Sequence, residues 1–99
     1  VENRVASEMG AISGLLEEIA QNSSKVAYGL TETTNAINLG AVEKLFILDK
    51  MVATNNLGPQ MDMVENMKGE VMVISSEHDG GKQLESLGGI AAILRYALS

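Results

Sequence analysis

Residues 71–94 run VMVISSEHDGGKQLESLGGIAAIL, and this stretch decides the fold. It holds two unbroken apolar runs, Val71-Met72-Val73-Ile74 and Ile90-Ala91-Ala92-Ile93-Leu94, on either side of a polar, glycine-containing segment. Runs of four or five residues carrying β-branched side chains are too short for helices and read as strands. Their continuity, without polar alternation, means that both faces are covered. Between them, residues 79–87 read as a helix around Leu84 and Leu87, closed by Gly88-Gly89.

Upstream the pattern repeats. Leu45-Phe46-Ile47-Leu48 is a third apolar run, and residues 59–68 read as a helix with Pro59 in its first turn and Met63, Val64 and Met67 inward. The stretch from Met51 to Gly58, with Thr54, Asn55 and Asn56, reads as a mobile insertion. Val26-Ala27-Tyr28 is a short strand ended by Gly29. Thr31 is the expected N-cap of a helix through about Leu39, polar at Thr33, Thr34 and Asn38, apolar at Ala36 and Ile37, and stopped by Gly40. Residues 2–20 form an amphipathic helix whose inner face is Val5, Met9, Ile12, Leu16 and Ile19, before Gln21-Asn22-Ser23-Ser24 breaks it. Helices alternating with doubly covered strands make an α/β fold, a three-layer α/β/α sandwich, with strand order left open.

Ninety-nine residues form one domain, 1–99. There is no cysteine, which removes disulfides, thiol catalysis and cysteine-ligated metals. No stretch is apolar enough to cross a membrane. The chain opens Val1-Glu2-Asn3-Arg4 without methionine or a signal pattern, so a fragment of a longer cytoplasmic protein is expected. Thirteen acids against seven bases give a net charge of −6, and no two bases are adjacent. Nucleic-acid binding draws on clustered Lys and Arg, so direct RNA binding is not expected.

Short chemical signals are few. Glu77-His78-Asp79 is better read as a loop and helix cap, with Ser76 or Asp79 accepting backbone N–H bonds, than as a metal or acid–base site. Gly80-Gly81 and Gly88-Gly89 fit no phosphate-binding motif and read as turns, and the six methionines as core filler. Asp49, Asp62, Glu65, Glu77 and Asp79 are dispersed, where a metal nuclease needs clustered carboxylates. The strongest patch is Ile93-Leu94-Arg95-Tyr96. There a strand leaves the core and presents Arg and Tyr, both favoured interface anchors.

Three blocks together, residues 28–49 (Tyr28-Gly29-Leu30 through Phe46-Ile47-Leu48-Asp49), residues 73–84 and residues 87–96, resemble the third domain of the Pelota family of ribosome-rescue factors. More distantly they resemble that of class-1 release factors. The Ser75-Ser76-Glu77-His78 block with Gly81-Lys82-Gln83-Leu84 is what points to the Pelota branch. The resemblance implies a mixed sheet and a fold similar to the kink-turn RNA-binding ribosomal proteins. In those proteins a Gly-x-Asn-Glu-x-x-Lys stretch grips RNA; here Thr31 replaces the Asn, Glu32 is retained and Asn35 replaces the Lys. The family also implies three domains, of which this is the carboxy-terminal one. It docks a translational GTPase of the elongation factor 1-alpha type and later a ribosome-recycling ABC ATPase, meeting the ribosome through the parent protein. Stalled-ribosome recognition, subunit dissociation and no-go mRNA decay follow from the same likeness. Ile93, Leu94, Arg95 and Tyr96 are then partner-binding residues, and substitutions at Arg95 or Tyr96 should weaken docking and leave the fold intact. No catalytic residue, metal or cofactor is expected in this domain. The alternatives are a kink-turn RNA-binding protein, or part of a metal-dependent endoribonuclease whose divalent metal and activity belong to the full-length protein.

Overall fold

The computed structural model describes residues 4–21, 25–55, 57–77 and 79–96, and turns all three apolar runs into strands. In chain order the elements are α1 (Arg4–Ala20), β1 (Val26–Tyr28), α2 (Leu30–Asn38), β2 (Val42–Leu48), α3 (Asp49–Asn55), α4 (Gly58–Asn66), β3 (Glu70–Ile74), α5 (Asp79–Ser86) and β4 (Ile90–Leu94). The sheet runs β1-β4-β2-β3. β4 is antiparallel to both of its neighbours, while β2 and β3 are parallel, so the sheet is mixed.

The doubly apolar strands divide their side chains between two cores. On one face Leu45, Ile47, Ile90, Ala92 and Leu94 pack with Ala36 and Ile37 of α2 and Val64 of α4. On the other, Phe46, Leu48, Ile74 and Ala91 pack with Ile12 and Leu15 of α1 and Leu84 of α5. Helices thus cover both sides, which is the three-layer α/β/α sandwich. Register sets large against small in the middle: Phe46 opposes Ala91 and Leu45 opposes Ala92. No described helix is long and apolar enough to cross a membrane.

Several local expectations are corrected. The supposed insertion at 51–58 is largely helical. Met51 and Val52 pack against the cores and Leu57 is buried, so three apolar anchors outweigh the polar run that suggested a loop. Asn56 lies outside the described residues. Helix α2 begins at Leu30 with Gly29 as its N-cap (φ 89°) and no side-chain cap bond, so Thr31 does not cap it. Thr33 points inward, fully buried, and its hydroxyl has no partner among the described residues. On α1, Leu15 takes the core position that Met9 was expected to fill, and Met9 is exposed; the side chain of Val5 lies outside the described residues. Met63 is likewise exposed, leaving Val64 as the buried residue of α4. As an outer strand, β3 keeps Val71, Met72 and Val73 only half-buried.

Three helices hand over to strands through one device. At the end of α2, Gly40 N–H donates to Ile37 O and Ala41 N–H to Ala36 O. After α4, Lys68 N–H donates to Glu65 O and Gly69 N–H to Val64 O. After α5, Gly88 N–H donates to Glu85 O and Gly89 N–H to Leu84 O. Each pair is a Schellman closure around a left-handed residue: Gly40 at φ 69°, Lys68 at φ 67° and Gly88 at φ 104°. The glycine reading at 40 and 88 holds; at 68 a lysine carries the strained conformation.

Gly80 and Gly81 are not turn residues. Both are buried inside the first turn of α5, and a Cβ on Gly81 would overlap the Ser75 carbonyl oxygen and crowd the backbone of Ser76. Gly81→Ala should therefore lower stability by about 3 kcal/mol in urea denaturation, as overpacking against rigid backbone does. Lys68→Gly should raise it by about 1 kcal/mol by relieving left-handed strain.

Candidate functional site

The expected patch sits at the end of β4, where the central strand leaves the sheet. Leu94 is buried at 2% exposure and anchors the strand in the core; Ile93 is half-buried, while Arg95 and Tyr96 are exposed. Leu94 N–H donates to Lys25 O and Arg95 N–H to Ala41 O, so the backbone is fixed between β1 and β2 up to the point where the side chains emerge.

Both emerging side chains have partners within the fold. The Arg95 guanidinium, through Nη2, donates to Val42 O at 3.1 Å and to Met67 O at 2.8 Å. The Tyr96 hydroxyl donates to Leu39 O at 3.3 Å. Leu39 and Met67 are the C-cap residues of α2 and α4. A Schellman closure leaves carbonyls at the helix end without intrahelical donors, and a cation there also meets the negative end of the helix dipole. Arg95 and Tyr96 are therefore side-chain caps for the two helices on one face of the sheet. The sequence treated both as free interface anchors. It could not register this role, because the bonds span 28 and 57 positions and join residues with no sequence signal in common.

Two surfaces meet at this strand end. On the α1 side an open groove of about 390 Å³ has Ile93, Leu94 and Arg95 along it. Helix α1 contributes Gly14, Glu17 and Glu18, with Lys25 and Glu43 completing the rim. Glu43 owes its place to a β-bulge. The β2–β4 register shifts between Val42 and Lys44, so two consecutive residues, Glu43 and Lys44, are both exposed at this end of a strand buried from Leu45 onward. On the α2 side lies Leu39, 56% exposed, next to Tyr96 at 47%. Leu39 was read only as the end of a helix; it is the C-cap of α2, its backbone N–H bonded to Asn35 O.

The 75–79 corner has its own bonds. Ser76 N–H donates to a carboxylate oxygen of Asp49 at 3.2 Å, and Glu77 N–H to Ser75 Oγ at 3.2 Å. These bonds fold the loop back on itself and onto the start of α3, ahead of α5. His78 lies outside the described residues. Among the described residues, no group of three His, Cys, Asp or Glu is placed to hold a metal ion.

Residues 5–98 match the family model for eRF1 domain 3. The Protein pelota homolog of Methanobrevibacter smithii is 69% identical over 99 residues, covering the whole chain and 28% of that protein. The chain likewise spans 28% of the length of the next curated relatives it matches. Among solved structures, a ribosome-bound archaeal Pelota with ABCE1 superimposes with a TM-score of 0.85 at 46% identity, over 99% of this chain and 28% of that one. Dom34 of S. cerevisiae, a translation termination-like factor involved in RNA quality control pathways and interacting with Hbs1, gives 0.86 at 31% identity, over 95% and 28%.

Removing the clasp at Arg95 leaves the Met67 and Val42 carbonyls without their charged donor. Arg95→Ala should cost about 1.5 kcal/mol of unfolding free energy in urea, with Arg95→Lys recovering only part of it, because a single ammonium cannot reproduce the guanidinium geometry.

Proposed function

The chain belongs to the eRF1 domain 3 family, in its Pelota branch, and on that premise we propose that it is the protein-docking domain of a ribosome-rescue factor. In this reading it is the third domain of a three-domain cytoplasmic protein that acts on stalled ribosomes, in subunit dissociation and no-go mRNA decay. Its own task is to hold a translational GTPase of the elongation factor 1-alpha type, and later a ribosome-recycling ABC ATPase. The observation that carries it is the exposed end of β4, where Arg95 and Tyr96 stand on a rigid frame of caps and strand bonds. Support comes from relatives that work with protein partners: an archaeal Pelota on the ribosome with ABCE1, and Dom34 interacting with Hbs1.

The mechanism proposed is surface complementarity without chemistry. A fixed backbone and a half-exposed tyrosine ring keep the entropy cost of docking low. RNA is the less suited ligand. The net charge is −6, and Thr31 and Glu32 lie exposed at the start of α2, where related RNA binders present Asn and Glu followed by a lysine. Endoribonuclease activity, with its divalent metal, is assigned to other parts of the parent protein.

Titration calorimetry of the chain against archaeal elongation factor 1-alpha with GTP, with a kink-turn RNA in parallel, tests this. Saturable binding to the factor and none to RNA is expected, and Tyr96→Ala should weaken the former about tenfold, as loss of an aromatic anchor does. Binding to RNA alone would refute the docking role.

A further inference from the structure

The four residues of the strand end do unequal work, and the geometry divides them. Leu94 is buried, and the Arg95 guanidinium is bound to Val42 O and Met67 O. Leu94 offers no side chain to a partner, and Arg95, although exposed, has its Nη2 committed to two carbonyls of the fold. What remains outward at this end is Leu39 and the Tyr96 ring on one side of Arg95, and the groove with Glu17, Glu18 and Glu43 on the other.

We infer that the docked protein lays an apolar side chain on the Leu39–Tyr96 pair and reaches a lysine or arginine across Arg95 into the acidic groove. This rests on the docking reading above and names the chemistry of its partner. Leu39 is the most exposed large apolar residue described, and its backbone sits in a hydrogen-bonded closure, not in a frayed end. A leucine in that state loses little freedom on binding, and its burial contributes the hydrophobic term that drives association. The partner's charge follows from the groove, whose three carboxylates exceed the bases Lys25 and Arg95, in a chain of net charge −6. A basic segment is attracted over a distance and oriented by it, whereas a phosphate backbone is repelled. Arg95 is then a positioning residue: it fixes the start of β2 against the end of α4, while Tyr96 holds the end of α2, so that pair and groove stand at a set spacing.

The test is titration of archaeal elongation factor 1-alpha with GTP into the chain and four variants, each checked by thermal unfolding. Leu39→Ala and the equally long Leu39→Gln should both weaken binding about tenfold with unfolding unchanged. Glu17→Gln with Glu18→Gln should flatten the salt dependence of the affinity. Leu30→Ala, at the opposite end of α2 and also exposed, should bind as the parent does. Wild-type affinity in both Leu39 variants, or a loss in Leu30→Ala as large as theirs, overturns the inference while the docking reading stands. Absence of binding by the unmodified chain overturns both. Leu39-dependent self-association in sedimentation, without factor binding, would assign the patch to a second copy of the chain.

Discussion

The left-handed residue that ends each of α2, α4 and α5 is the constraint on which the rest of this domain depends. Gly40, Lys68 and Gly88 each reverse the chain within a single residue, and β2, β3 and β4 begin within two residues of them. The 6→1 and 5→2 bonds fix the exit direction, so each strand starts at a defined height on the sheet, and the alternation of its buried side chains does the rest of setting register. The parallel β2–β3 pair and the central position of β4 both rely on that placement. Gly89 extends the same logic. Its carbonyl receives Leu48 N–H, tying the entrance of β4 to the exit of β2.

The same device creates the site. Closing a helix this way satisfies two carbonyls and leaves others at the C-cap without donors, and the fold supplies Arg95 and Tyr96 from the far end of the sheet. Arg95 and Tyr96 therefore have a structural task within the fold itself. Together they hold α2 and α4 to the strand layer, so a loss of binding on substitution at Arg95 alone does not identify a contact. Leu39 is a cleaner probe because its side chain takes no part in capping.

Much of this architecture was legible. The three apolar runs announced strands covered on both sides, and all three are strands; Ala36, Ile37, Val64 and Leu84 were placed inward correctly. Recognition of the family came from the residues around Tyr28, Ser75 and Gly88, and the comparisons agree with it. What the sequence hid were effects of tertiary context. Thr33 reads polar but sits in the α2 core face, since helical geometry leaves it no other direction. The polar tail of α3 masked Met51 and Leu57, whose burial decides that segment. Gly81 was legible as a glycine but not as a close approach, because the backbone it accommodates lies in the preceding loop. At the end of β4, the sequence reading singled out Ile93–Tyr96 but not the caps that Arg95 and Tyr96 make, and Leu39 drew no notice because exposure of a single leucine has no sequence signature.

The strand order carries a consequence for how such a domain is made. β4 lies between β1 and β2, yet of the four strands it is the last to be synthesised. Until it arrives, β1 has no sheet neighbour and the two apolar layers lack their shared middle. On a translating ribosome the nascent domain must wait, with Leu45, Phe46 and Ile47 unprotected at one edge, for its final strand to slot in. Premature termination upstream of Ile90 thus yields a chain with its core open and nothing to close it, a natural substrate for chaperones and proteases.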